Sequence, residues 1–365
     1  MEIRLKRSDF LGELIPMQGI VERKTTIPVL SHLLLSARND RLHLAATDLD
    51  VSLTSWCAAE VQQEGAIAVQ AKKLIEIIRS LTASEVALIQ EEPRVLSIRA
   101  GTSRFKIHGL AADDFPTLPS VEEIVPVEIP FADFRRMVAK VLFAVSAEES
   151  RFQLNGALLK LKDGTFEIVA TDGHRLALVE GSLERSGDPD SVLVPRKALQ
   201  ELQRLEGEGT LTYRHGEHHL SFRLGQRELI CRILEGTFPD YERVIAKDND
   251  KRILFDRKPL VEAVQRAALM TSDRARAVRL QFAPDQLVIS AINTDLGEAV
   301  EEVACQYDGP EFRLGINPDY LTQFLSAVDT ERVRLELKDE NTQCVGYPQD
   351  GSDTRYLCVI MPMRI

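Results

Sequence analysis

The segment TFEIVATDGHRLAL at 165 to 178 repeats, with small changes, the segment RLHLAATDLDVSL at 41 to 53, and Asp48 returns as Asp172 after 124 residues. A looser third copy, QLVISAINTDLGEAV at 286 to 300, sets Ala291, Ile292 and Asn293 where the first has Ala46, Thr47 and Asp48. Self-similarity at a long fixed period marks a chain built from copies of one structural unit. The flanking segments keep the same order. AIAVQAKKLIEIIRSL, SVLVPRKALQELQRL and FRLGINPDYLTQFLSAV each pass from an alternating or β-branched run into apolar spacing of three and four, as at Leu74, Ile77, Ile78 and Leu81. Each therefore reads as a strand entering a helix. The same offset pairs Lys73 with Lys197.

Further strand-to-helix openings stand in IRLKRSDFLGELIPMQGIV, VEIPFADFRRMVAKVLFAV and ILFDRKPLVEAVQRAALM, with Ser8 or Asp9 and Pro259 as helix-start residues. Short strands close each copy, as VALIQ, VLSIRA and RFKIHGL do in the first. The expected fold class is α+β: three tandem domains, each of two half-units of strand, helix and three strands, with two helices covering one side of antiparallel sheets. Predicted domains are 1–122, 123–248 and 249–365. Their joints fall in PTLPSVEEIVP at 116 to 126 and AKDNDKR at 246 to 252, where Pro, acidic and Asn residues break the apolar pattern.

A chain of 365 residues with plentiful aliphatics and scattered Gly and Pro is too long for one ordinary core and is neither disordered nor fibrous. Its net charge of −11 argues against a surface that simply adheres to nucleic acid. Cys57, Cys231, Cys305, Cys344 and Cys358 lie far apart, without a CxxC pair or a His at ligand spacing, which predicts buried free thiols rather than zinc or disulfides. No metal and no cofactor is expected, and no GxxxxGK[ST] phosphate loop is present. Apolar stretches such as Ile27 to Leu35 are short and interrupted, and MEIRLKRSDF lacks the apolar core of a secretory signal. A cytoplasmic protein without membrane contact is expected.

With TDGHRLAL at 171 to 178, FPDYERVI at 238 to 245 and the terminal VIMPMRI on a triplicated chain, the sequence resembles the bacterial DNA polymerase III beta subunit, the beta sliding clamp family, over its whole length. The resemblance implies DNA-clamp domains that close as a head-to-tail homodimer into a ring, helices inward and sheets outward, around double-stranded DNA. It implies a processivity factor with no catalytic residues. Such a factor tethers the replicative polymerase catalytic subunit after a clamp loader complex has opened the ring. Repair polymerases, mismatch repair proteins and other carriers of a clamp-binding motif are further implied partners.

A protein that slides cannot read bases, so its contacts should be long-reaching and directed at phosphate, and a local positive lining suffices despite an acidic exterior. The DNA-binding candidates are Lys24, Lys72, Lys73 and Arg79 in the first domain, Arg135, Arg136, Lys140, Arg151, Arg196 and Lys197 in the second, and Lys258 and Arg266 in the third. Lys72-Lys73 and Arg196-Lys197 hold equivalent helix starts. Glu148 and Glu149, just before Arg151, depart from the neutral or basic residues the family often has there. The bland alternative is a set of solvated helix faces; repetition across domains favours the lining.

The resemblance places a partner-peptide groove on Leu154, Thr171, Gly173, His174, Arg175, Leu176, Pro239, Arg243 and Val244 of the second domain. From the third come Asn317, Tyr320, Val359, Ile360, Met361, Pro362, Met363 and Arg364. Leu, Val, Pro and two Met suit an adaptable apolar floor, although Met361 and Met363 also read as alternate residues packed on one side of a strand. Asp172, His174 and Ser146 could suggest a nucleophilic triad. No GxSxG elbow accompanies them, and the matching segment TDLDV lacks the histidine.

For the dimer interface the resemblance assigns Phe105 and Ile107, on one face of an edge strand, to one side of the seam, and Leu269 and Met270 to the other. Packing inside a domain is the competing reading of all four. For the whole chain the competing reading is a peptide-binding scaffold that has lost DNA function, such as a duplicated or inhibitor-resistant clamp copy. The retained basic positions and groove motifs speak for the clamp.

Overall fold

Leu42, Leu44 and Ala46 alternate along the strand Arg41–Thr47 and are all buried, while Arg41 before them and His43 between the two leucines reach solvent, the period-two pattern of a sheet packed on one face; the far end of the strand, from Ala45 on, is buried on both faces. Helix α1 (Arg7–Met17) and α2 (Ala71–Ser80) cover that face. Leu74, Ile77, Ile78 and Leu81 are buried under α2 as their spacing predicts, leaving Lys72, Lys73 and Arg79 outside. The structure is a computed structural model and describes residues 1–22, 26–121, 126–162, 164–183, 190–272, 276–350 and 355–364.

Two compact units result, Met1–Phe134 with Lys197–Ile233, and Arg135–Arg196 with Leu234–Ile365; the boundary passes through α3 (Phe131–Val141) and the start of α4 (Arg196–Arg204). The first unit holds one continuous sheet. In spatial order its strands are Val127–Pro130, Thr210–His215, His219–Leu224, Arg227–Arg232, Val51–Ala58, Arg41–Thr47, His32–Arg38, Gly65–Gln70, Ser103–Ala111, Val95–Ala100, Glu85–Glu92, Glu2–Lys6 and Glu60–Gln63. In the second unit the main sheet runs Asp190–Pro195, Gly156–Lys162, Thr165–Thr171, Arg175–Ser182, Tyr356–Ile360, Cys344–Gln349, Arg332–Leu337 and Lys251–Asp256. A smaller sheet runs Gly297–Ala304, Gln286–Asn293, Val278–Ala283 and Phe312–Ile316. Helix α5 (Arg257–Ala268) packs on this smaller sheet and on α6 (Pro318–Ala327).

The repeat explains the joins. Thr54 pairs with Glu228 and Leu178 with Leu357, so in each unit the last strand of the repeated segment receives a strand from the following repeat. The Asp-centred triplet is a turn: Asp48 Oδ1 accepts from the backbone of Asp50 and Val51, Asp172 Oδ1 from His174 and Arg175, and Asn293 Oδ1 from Asp295 and Leu296. A side-chain carboxylate or amide that closes its own turn is what this position requires.

Two sequence expectations need correction. Leu34 faces Ala68 whereas Leu158 faces Leu193, so one residue more separates these strands in the second copy. The offset becomes 125 at the helix starts Ala71 and Arg196, and Lys197 matches Lys72 rather than Lys73. Ser8 and Asp9 lie inside the first turn of α1, whose N-cap is Lys6; Asp9 acts there through its charge on the helix dipole. Pro259 is in the first turn of α5.

Arg7 instead caps the far end of α2, donating to the carbonyls of Ile78 at 2.9 Å and Arg79 at 2.8 Å, and Arg257 does the same for α6 at Leu325 (3.3 Å) while also holding the Thr330 carbonyl beyond the helix at 2.9 Å. These bonds satisfy carbonyls that a helix end leaves open. All five cysteines are free and buried, and burial pushes Cys305 up to about 11 and Cys57 and Cys344 up to about 12. Among the described residues no helix is long and apolar enough to cross a membrane.

Candidate functional site

In the second unit the turn after Thr171 organises the predicted groove. Thr171 Oγ1 accepts from Gly173 N at 3.1 Å and donates to Arg175 O at 2.7 Å. Gly173 has φ +87°, a backbone conformation suited to glycine. The chain is thereby turned so that Arg175 points inward. Its guanidinium bonds Asp172 Oδ2 at 3.1 Å, the carbonyl of Phe143 and the amide oxygen of Gln323, and lies 4.4 Å from the ring centre of Tyr320. His174 also stacks on Tyr320, with ring centres 6.4 Å apart at 21°. Burial, followed by the carboxylate of Asp172, pushes the Tyr320 phenol up.

The next residue faces the opposite side of the sheet. Leu176, paired with Val359, joins a cross-strand apolar row of Leu193, Leu158, Val169, Leu178 and Leu357, with Val345, Tyr241 and Ile245 packed into it and Phe238 and Val244 half-buried at its edge. Tyr241 gives its hydroxyl to Glu167 and receives Lys160 Nζ at 3.3 Å; burial and the Glu167 carboxylate push its phenol up. The floor is thus apolar while its hydroxyl is satisfied at the rim.

The structure sorts the groove candidates. Leu154, Thr171, Arg175, Leu176, Val359 and Ile360 are buried; Val244, Asn317, Tyr320, Met361, Pro362 and Met363 are half-buried; Gly173, His174, Pro239, Arg243 and Arg364 are exposed. Alternation puts Arg175 and Ile360 on the face opposite Leu176 and Val359, behind the predicted groove. Asn317 caps α6 by accepting from Asp319 N at 2.9 Å, and Arg243 pairs with Asp240 at 2.7 Å.

The two methionines part company. Met361 N bonds His174 O at 2.9 Å, whereas Met363 N bonds Gly315 O at 2.8 Å. Met363 and Arg364 line a separate cavity of about 510 Å³ with Arg279 and Arg313. The strand ends at Ile360, so strand alternation no longer governs 361 to 363. Phe143, Gln323, Tyr241 and Val345 were missed as site residues, although Tyr241 lies within the FPDYERVI motif.

Three domain profiles of the DNA polymerase III beta subunit match in order, the N-terminal domain at residues 1–119, the central domain at 128–240 and the C-terminal domain at 242–364. The chain belongs to this family. It is 37% identical to the beta sliding clamp of Pseudomonas putida and 32% identical to that of Escherichia coli, with the whole of each chain covered. The crystal structure of DNA polymerase III subunit beta from Pseudomonas aeruginosa superposes with a TM-score of 0.94 at 37% identity, and the Bartonella birtlesii sliding clamp bound to griselimycin with 0.95 at 32%; both cover all of this chain and all of their own.

As a member of the DNA polymerase III beta subunit family the chain is a sliding clamp and not an enzyme. Asp172, His174 and Ser146 have other work: Asp172 closes the turn and holds Arg175, and buried Ser146 accepts from Glu148 N at 3.1 Å.

The basic residues a clamp would turn toward DNA fall into two groups. Lys72, Lys73, Arg79, Arg135, Arg136, Arg151, Lys258 and Arg266 are exposed. Lys72 and Lys73 are neighbours of Glu76, Arg266 is forked onto Glu301 at 3.0 and 2.6 Å, and Arg151 reaches Asp172 O at 3.3 Å and lies 3.8 Å from Glu148.

Three candidates are held by the protein itself. Lys140 is buried, 2.9 Å from Asp329 and 5.2 Å from the Tyr356 ring centre. Lys197 binds Asp48 and the carbonyl of Ile20, and half-buried Arg196 donates to Val145 O at 3.4 Å. The ammonium of Lys140 is therefore not available to phosphate in this structure. Lys24 and the side chain of Glu149 lie outside the described residues.

Phe105 is exposed on the strand Ser103–Ala111, with Ile107 half-buried beside it; Leu269 is 75% exposed and Met270 half-buried after α5. None of the four is enclosed as an intradomain core residue would be.

Proposed function

We propose that two copies of this sliding clamp close head to tail into a ring around double-stranded DNA and hold partner proteins on it without sequence preference. One observation carries the reading: among the described residues, each unit leaves a stretch of strand paired on one side only, with apolar side chains on it or beside it. Residues 103–108 pair with Val95–Ala100 on one side only, since Gly65–Gln70 takes up just 109–111. Gly297–Ala304 is the edge of the smaller sheet, where Val300 is 60% exposed, and α5, which ends just before the exposed Leu269, packs on this strand. Bare apolar edges aggregate unless something covers them, and two unlike edges covering one another close a ring after two copies.

Three domains, 1–122, 123–248 and 249–365, supply the repeats. The exposed set Lys72, Lys73, Arg79, Arg135, Arg136, Lys258 and Arg266 makes weak, salt-sensitive phosphate contacts; Arg151, and with reduced charge Arg196 and Lys197, stand at its margin. The groove over Leu176, Val244 and Val359 takes the apolar end of a clamp-binding peptide from the replicative polymerase catalytic subunit, the clamp loader complex, repair polymerases or mismatch repair proteins, in the cytoplasm. The Bartonella relative with griselimycin bound supports a ligand-accepting surface of this kind.

The test is retention on circular DNA after loading with a compatible clamp loader and ATP. Protein that survives high salt on circles and leaves on linearisation is a closed ring. Release by salt alone, with a control clamp retained, sinks the reading and leaves a peptide-binding scaffold.

A further inference from the structure

The first unit contains a counterpart of the groove whose chemistry has been changed. Following the strand pairings, the apolar row Leu193, Leu158, Val169, Leu178 and Leu357 of the second unit corresponds to Ala68, Leu34, Ala45, Thr54 and Glu228 in the first. Even the aromatic-proline corner recurs, Phe115-Pro116 standing for Phe238-Pro239, with Leu118 at the position of Tyr241. Smaller residues deepen the floor, and the next cross-strand row, Ser36, His43 and Trp56, replaces Lys160, Glu167 and Glu180. A cavity of about 600 Å³ opens over these positions, within the usual size of a ligand site.

Its wall is cationic in an acidic protein. Arg38 and Arg41 end the paired strands at its mouth, and Arg223 lies 3.7 Å from Glu228 on the far side. The Arg41 guanidinium rests 3.7 Å from the Trp56 ring centre, and neither Arg38 nor Arg41 has a carboxylate partner among the described residues. Burial and then the charges of Arg38 and Arg41 hold the His43 imidazole below its usual range, as a positive field should.

We propose that this cavity is a second docking site, for an acidic, extended peptide segment of a partner protein. Carboxylates pair with Arg38 and Arg41 in forked geometry, an aliphatic side chain enters over Ala45, and peptide N–H groups meet Glu228. That carboxylate favours a peptide over a nucleic acid, whose phosphates it repels and which has few donors to offer it.

Trp56 is the only tryptophan in the chain, so its fluorescence reports on this cavity. The probe is an acetylated, amidated six-residue peptide of alternating aspartate and leucine, with an asparagine–leucine counterpart, titrated into the full-length protein. Saturable change with the acidic peptide, weakened by salt, is expected. Anisotropy of a fluorescein-labelled copy should show affinity falling about tenfold or more in Arg38→Gln/Arg41→Gln, while Met361→Glu, in the other groove, leaves the Trp56 signal unchanged. Equal response to the neutral peptide, no saturable response, retained affinity in the arginine variant, or tighter saturation of the signal by a thymidine octanucleotide each overturns the proposal.

Discussion

Arg175 and Tyr320 are locked face to face, the guanidinium carbon 4.4 Å from the ring centre, and the same guanidinium reaches Asp172, Phe143 and Gln323. Three donors in a fixed fork serve three acceptors in different directions, which an ammonium cannot copy. Arg175→Lys should therefore lower stability by about 3 kcal/mol, the scale of breaking a buried pair. It should also weaken a clamp-binding peptide even though Arg175 sits behind the floor. Thermal unfolding with peptide titration checks this; native affinity in a destabilised variant would limit Arg175 to folding.

The turn offers a comparison within one chain. Gly173 and Leu49 occupy the same repeat position, and both have positive φ, +87° and +82°. Leucine strains there, since an L side chain in the left-handed region costs roughly 1–2 kcal/mol. Gly173→Ala should destabilise by about 1 kcal/mol, whereas Leu49→Gly, at an exposed site, should be neutral or stabilising by up to about 1 kcal/mol after the entropy of glycine is counted. Denaturant midpoints decide; loss of stability in Leu49→Gly would show that Leu49 packs usefully.

How much could be read beforehand follows from where the information resides. Strands, helices and the triplicate order were legible because Leu42, Leu44 and Ala46, or Leu74 and Ile78, carry their period locally. The fate of charges was not. Asp172 spends its second oxygen on Arg175, but the first copy has Val51 there, which frees Asp48 for Lys197. Lys140 looks like any helix-face lysine until Asp329 and Tyr356, far along the chain, close over it. Such pairings are set by tertiary contacts that periodicity does not encode, and the one-residue difference between the Leu34–Ala68 and Leu158–Leu193 separations shows how little it takes to mismatch a lysine.

Glu13 gives the first unit a buried, acid-sensitive carboxylate contact. Burial pushes its carboxyl up, but Arg227 at 2.8 and 2.9 Å, Ser55 and Gln226 outweigh it and hold it below its ordinary value of 4.5. The folded state then binds this proton less readily than the unfolded chain. The stabilisation is full well above pH 4.5 and is lost as pH falls through the depressed value. The gap in melting temperature between the wild type and Glu13→Gln should narrow as pH drops below about 4.5; a constant gap would assign the effect to packing alone.

The seam can be tested by complementation. Leu269→Ala/Met270→Ala removes apolar surface from one proposed edge and Phe105→Asp places a charge on the other; Leu269 and Phe105 are exposed and Met270 is half-buried in the single chain, so folding should survive, as circular dichroism would show. Each variant alone has both seams of its ring damaged and should sediment as a monomer. Mixed together, the first variant's intact 103–108 edge can meet the second variant's intact Leu269 edge, while the two damaged edges face each other. One sound seam is then restored, and dimer mass should return only in the mixture. If the contact instead joined identical patches, one of the variants would remain dimeric by itself and mixing would restore nothing, so sedimentation of three samples separates a head-to-tail ring from a symmetric pair.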